Sequence, residues 1–111
     1  MHVLVVARSK FFREALKFIL QGRVDSVETA TDITGIGDVG RYDLILCDLS
    51  CFENLSLVAD RLRSFKEKGA KVVVFSFDPA DRLRNLMTGA DGYIHRPLDP
   101  ETVMDLISRF S

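Results

Sequence analysis

"HVLVVARSKFFREALKFILQG", residues 2–22, decides the fold. Its opening run, HVLVVA (2–7), is apolar without polar alternation, the pattern of a strand covered on both faces and therefore central in a sheet. From Ser9 the period changes. Ser9 is a helix-capping residue. Phe12, Ala15, Leu16 and Ile19 then recur at i, i+3, i+4 and i+7, the buried stripe of a helix over about 10–21 that Gly22 ends. Phe11 and Phe18 lie one face round from that stripe and read as partly buried core, with a partner surface as the alternative. A strand that feeds a helix in this way is the first half of a βαβ unit.

The same alternation continues to the end of the chain. SVETA (26–30) is a weaker, more polar strand, suited to a sheet edge. TDITGIGDVGRY (31–42) carries three glycines and few helix formers, so only a short, loose helix is expected there. DLILCDL (43–49) is a second central strand with Asp48 at its end. The loop SCFEN leads to a helix over 55–68, with Leu55, Val58, Ala59, Leu62 and Phe65 inward and Arg61, Arg63, Lys66, Glu67 and Lys68 outward. Gly69 stops it. AKVVVFSF (70–77) is a third central strand, Asp78 and Pro79 start a helix to about 88, ADGYIH (90–95) is a last short strand, and a helix over about 100–110 closes the chain. Strands alternating with helices predict an α/β, doubly wound, five-stranded parallel sheet of flavodoxin-like order 2-1-3-4-5 with helices on both faces.

Length and composition fit one domain over 1–111, either a whole single-domain protein or the front of a longer one. Apolar residues make up 47%, enough for a proper core. With 15 basic and 16 acidic residues the net charge is −1, which gives no reason to expect nucleic acid or an anionic membrane as partner. No apolar run has the length of a membrane span and the start has no signal-peptide pattern, so a cytoplasmic location is expected. Cys47 and Cys51 are too few for a disulfide framework. A metal site from Cys47, Cys51, Asp48 and His95 is disfavoured, because the cysteine spacing spans a strand-to-loop change.

In an open parallel sheet of this order, sites form outside the carboxyl ends of the strands, at the switch between strands 1 and 3. That rule selects Ala7 and Arg8 from strand 1, Asp48 from strand 3, Ser76 from strand 4, and His95 or Arg96 from strand 5. Arg8 is the anomaly, since a helix start favours anions over cations.

These residues carry a resemblance. The chain resembles a response-regulator receiver domain of two-component signalling over essentially its whole length. DLILCDL matches the strand that ends in the family's phosphoacceptor, here Asp48, and VVVFSF the strand that ends in its Ser or Thr, here Ser76. GADGYIHRP (89–97) matches the signature that carries the switch aromatic, here Tyr93, and a Lys-Pro pair, here Arg96 and Pro97, which is the cis-proline candidate. The departure lies after strand 1. There the family places two acidic residues that bind Mg²⁺ with the phosphoacceptor, and this chain has Ala7 and Arg8.

A hard dication needs several oxygen ligands. One carboxylate between two guanidinium groups does not supply them, so the expectation is no metal site, no cofactor, and Arg8 paired with Asp48 in the metal's place. Solvated Arg8 and an Asp48 that merely caps its loop are the plainer alternatives. The function expected is a non-enzymatic signalling module that works through protein contacts, independent of Mg²⁺-assisted phosphorylation. A homodimer through the fourth helix, fifth strand and fifth helix, with Arg82, Arg84, Tyr93, Asp105 and Arg109 on that face, is the interface that the resemblance implies. The alternative is a working phosphorelay receiver, phosphorylated on Asp48 by a histidine kinase, and transcription regulation is a conceivable output. A flavodoxin-like enzyme or nucleotide binder is disfavoured, because ARSKFF is not a glycine-rich phosphate loop.

Overall fold

The computed structural model describes residues 1–33, 36, 39–48, 55–76, 90–94 and 98–110. Five strands, β1 (His2–Val6), β2 (Ser26–Ala30), β3 (Leu44–Asp48), β4 (Lys71–Phe75) and β5 (Gly92–Ile94), form one sheet of order β2-β1-β3-β4-β5. Every neighbouring pair is parallel. Three helices are described: α1 (Lys10–Leu20), α2 (Leu55–Glu67) and α3 (Pro100–Phe110). The order and the helical covering match the expectation, and no helix among the described residues is long and apolar enough to cross a membrane.

Pleat alternation divides the core in two. Val3, Val5, Ala7, Leu44, Leu46, Val73, Phe75 and Ile94 face α1 and α3, where Leu16, Leu20, Val103, Leu106 and Ile107 meet them. Leu4, Val6, Ile45, Cys47, Val72 and Val74 face the other way, against Leu62 and Phe65 of α2. This is why the central strands read as continuous apolar runs: each of their faces has a helical layer to bury. β2 has a partner on one side only, and its residues stay mostly half-buried.

Local signals behave as the residue chemistry requires. Ser9 caps α1, its Oγ accepting from the Phe12 amide at 3.4 Å. Gly22 and Gly69 follow α1 and α2 with φ of +82° and +94°, a conformation in which a Cβ is strained. At the opposite end of the sheet from the strand carboxyl ends, the amino-terminal ammonium binds Asp25 and holds its carboxyl below the usual carboxylate range.

Two expectations are corrected. Phe11 and Phe18 are not partly buried core but 69% and 81% exposed, because α1 turns Leu16 and Leu20 to the sheet and leaves Phe12 and Ile19 at the margin of the buried face. Arg61 does not point outward. Its Nε donates to the Ile33 carbonyl at 3.4 Å, its Nη2 to the Ile36 carbonyl, and its guanidinium carbon lies 5.7 Å from the centroid of the Phe65 ring. Within 31–42 a 3₁₀ segment, Val39–Arg41, is three residues long, in keeping with the short, loose helix expected there. The helix expected over 78–88, with its caps Asp78 and Pro79 and its surface residues Arg82 and Arg84, lies outside the described residues, as do the loop residue Cys51 and the side chains of Leu55, Val58 and Ala59.

Candidate functional site at the carboxyl ends of the strands

Strand register builds the site. Val6 pairs with Cys47, so Ala7 stands one step further on, beside Asp48. Asp48 pairs in turn with Phe75, and Ser76 follows directly. By alternation the Asp48 side chain leaves the sheet on the same side as Leu44 and Leu46, the side to which Ala7 also belongs. Asp48 has no accessible surface and Ser76 is 2% exposed; they are the two buried polar residues among those described. Tyr93, half-buried on β5, donates its hydroxyl to the Ser76 carbonyl at 3.3 Å. The ring is thus turned over the end of β4, not out to solvent.

Ala7 is fully buried, and its amide donates to the Ala30 carbonyl at 3.0 Å, which extends the β1–β2 ladder by one step. Arg8 is exposed. Among the described residues no ion pair joins Arg8 to Asp48, so the expected metal-mimicking pair is not formed in this structure. The cause is local. Ala7 takes the inward place, and the chain then turns into the helix cap at Ser9 with Arg8 directed outward.

The arginine that organises this turn is Arg13, which the sequence reading passed over. Its Nη1 donates to the carbonyls of Ala7 at 2.8 Å and Arg8 at 2.7 Å. Helical side chains point back toward the helix start, so a long cation on the second turn reaches the end of the preceding strand. That geometry was the available signal. Arg13 also borders an open hollow of about 470 Å³, lined with Thr29, Ala30, Thr31, Asp32 and Ile36 beside the end of β2. Among the described residues no three His, Cys, Asp or Glu side chains gather as a metal would require. Ala7, Asp48, Ser76 and Tyr93 are therefore brought to one end of the sheet, Arg8 sits at its rim, and His95, Arg96 and Pro97 lie outside the described residues.

A five-stranded parallel sheet of this order is the fold of CheY-like response-regulator receiver domains. Solved structures of that kind superpose along nearly the whole chain. The chemotaxis protein CheY4 of Vibrio cholerae matches with a TM-score of 0.78 at 23% identity, over 99% of this chain and 98% of that one. A CheY-like receiver domain protein from Methanospirillum hungatei gives 0.77 at 21% identity, over 97% and 90%. A two-component response regulator from Clostridium difficile gives 0.77 at 18% identity, over 99% and 94%. No protein-family model and no curated protein matches the sequence. At these identities the likeness is one of fold.

Proposed function

We propose that this protein is a cytoplasmic signal-transduction receiver module that acts through protein–protein contacts and does so without Mg²⁺-assisted phosphorylation. The observation that carries the reading is the pairing of positions at the ends of β1 and β3. Asp48 is fully buried, and the neighbouring positions on β1 hold a buried methyl, Ala7, and an exposed guanidinium, Arg8. Neither supplies an oxygen ligand to a dication, and a closed carboxylate is not presented to a phosphodonor. The Mg²⁺-free reading does not need the Arg8–Asp48 ion pair. No catalysis and no cofactor are assigned.

A second reading keeps Asp48 as a phosphoacceptor served by a histidine kinase. It is favoured by Ser76 and Tyr93, which remain linked at the end of β4. Phosphoryl transfer depends chiefly on positioning and charge stabilisation, which arginines can in part provide.

Amide shifts under Mg²⁺ titration separate the two. The unmodified protein should show no saturable change around Asp48 at millimolar Mg²⁺, and the double variant Ala7→Asp with Arg8→Asp should acquire one. Saturable shifts at the ends of β1 and β3 in the unmodified protein, or efficient Asp48-dependent labelling by a small phosphodonor, overturn the proposal in favour of the second reading.

A further inference from the structure

On the side of β1 away from Asp48, α1 packs against the edge strand β2. Arg13 and Lys17 stand one turn apart on α1 and share a face of the helix. That face is turned to β2, since each of the two lines a hollow that β2 also lines. Val27 belongs to the core layer beneath α1, so by alternation Thr29 leaves the strand on the same side, and Thr31 follows two residues on. The hollow of about 470 Å³ that Arg13 borders runs over Thr29, Ala30, Thr31, Asp32 and Ile36. A second hollow of about 500 Å³, lined by Lys17, shares Thr29, Ala30 and Ile36 with it. Arg13 comes to this place already oriented. Its Nη1 is held by the carbonyls of Ala7 and Arg8, which fixes the plane of the guanidinium. Its Nε and Nη2 make no hydrogen bond among the described residues. The acidic residues that line the two hollows are Glu28, held by Arg41 and Tyr42, and Asp32. Arg13, Lys17 and Arg41 outnumber them among the described lining. Glu14, next to Arg13 in sequence, lies on the exposed side of α1 and lines neither hollow.

We infer that this place between α1 and β2 binds a small phosphorylated sugar. Arg13 and Lys17 take the phosphate, and the hydroxyls of Thr29 and Thr31 donate to its remaining oxygens. Asp32 opposes a bare anion but accepts hydrogen bonds from sugar hydroxyls, which is why the ligand carries both groups. Ala30 and Ile36 offer an apolar floor to the C–H face of the ring. The size lies within the roughly 300–1,000 Å³ of small-molecule sites. The position, outside the carboxyl end of a parallel strand, is where open α/β sheets hold ligands. The site goes beyond the signalling role proposed above and needs no chemistry at Asp48. Arg13 connects the two, because it meets the ligand while it holds the carbonyls of Ala7 and Arg8. Occupancy therefore acts on the junction beside Asp48 without a metal.

Amide and arginine Nε shifts of the whole chain, titrated with ribose 5-phosphate, test the inference. Saturable shifts are expected at Arg13, Thr29, Thr31 and Asp32 at millimolar ligand, with smaller ones at Ala7 and Arg8. Ribose alone should give none. Inorganic phosphate should bind about tenfold more weakly, because it lacks the hydroxyls that Asp32 accepts. Lys17→Gln and Thr31→Val, both at exposed positions, should each weaken binding by about threefold to tenfold with an unchanged far-UV spectrum. Arg13→Gln should abolish it, and if that variant loses its fold the two exposed substitutions decide. The inference is overturned by the lack of saturable shifts, by shifts confined to other residues, or by binding indifferent to both exposed substitutions. Inorganic phosphate that binds as tightly as the sugar phosphate marks an adventitious ion only, and overturns it equally.

Discussion

At the scale of single residues, two arginines near one strand end have opposite fates. Arg8, next to the site in sequence, faces solvent, and Arg13, five residues later, holds the backbone of the site's first loop. Removing an exposed side chain of this kind changes stability by no more than about 0.5 kcal/mol, so Arg8→Ala should be nearly silent in urea melts. Arg13→Ala abandons two charge-assisted bonds, to the carbonyls of Ala7 and Arg8, and should cost about 1–3 kcal/mol. A double-mutant cycle between Arg8 and Asp48→Asn should show coupling near zero. If Arg8→Ala proves as costly as Arg13→Ala, Arg8 turns inward in solution. The positions of Ala7, Asp48 and Ser76 were legible because strand ends can be counted from apolar runs. The direction of Arg8 was not, because a strand-to-helix junction is set by the backbone turn and by which neighbour takes the inward place.

Among the elements, β2 was legible residue for residue, since the half-polar SVETA pattern is what a one-sided edge strand needs. α1 was legible in extent and in its buried stripe, and misjudged at Phe11 and Phe18. Its buried face centres on Leu16 and Leu20, and the stripe Phe12–Ala15–Leu16–Ile19 marks one side of it. With apolar residues on more than half the circumference, periodicity alone leaves the facing of Phe11 and Phe18 to tertiary packing. The end of α2 is better determined. The amides of Gly69 and Ala70 donate to the carbonyls of Lys66 and Phe65 at 3.0 and 3.1 Å, a closure that requires positive φ at Gly69. Nothing lies within 4 Å of where a Cβ at this residue would stand. Gly69→Ala therefore meets no clash, and its whole cost is backbone strain of about 1–2 kcal/mol. A thermal melt that shows no loss would mean that the turn relaxes without consequence for the helix.

For the whole molecule, the two cores share one sheet, each strand contributing alternate side chains to each layer. Neither layer keeps its strands in place without the other, so unfolding should be all-or-none. Tyr42 and Tyr93 pack against the α2-side core, while α1 and α3 on the opposite side dominate the described helix. Urea transitions followed by tyrosine fluorescence and by far-UV circular dichroism should coincide in midpoint and slope. Two separate transitions would show that the layers melt independently. Topology was the most legible level of all, because βαβ alternation leaves few allowed arrangements once the central strands are known to be apolar on both faces.

The boundaries of the sheet have a consequence for solubility. An unpaired strand edge is a template on which another chain can add and aggregate. Here one border is β5, three residues long. The other is β2, whose Glu28 at mid-strand binds Arg41 at 2.7 Å and accepts the Tyr42 hydroxyl, drawing the chain after the 3₁₀ turn back against the strand. Shortness guards one side, and a tethered acidic residue the other. Both devices hinder the addition of a further strand to the native sheet.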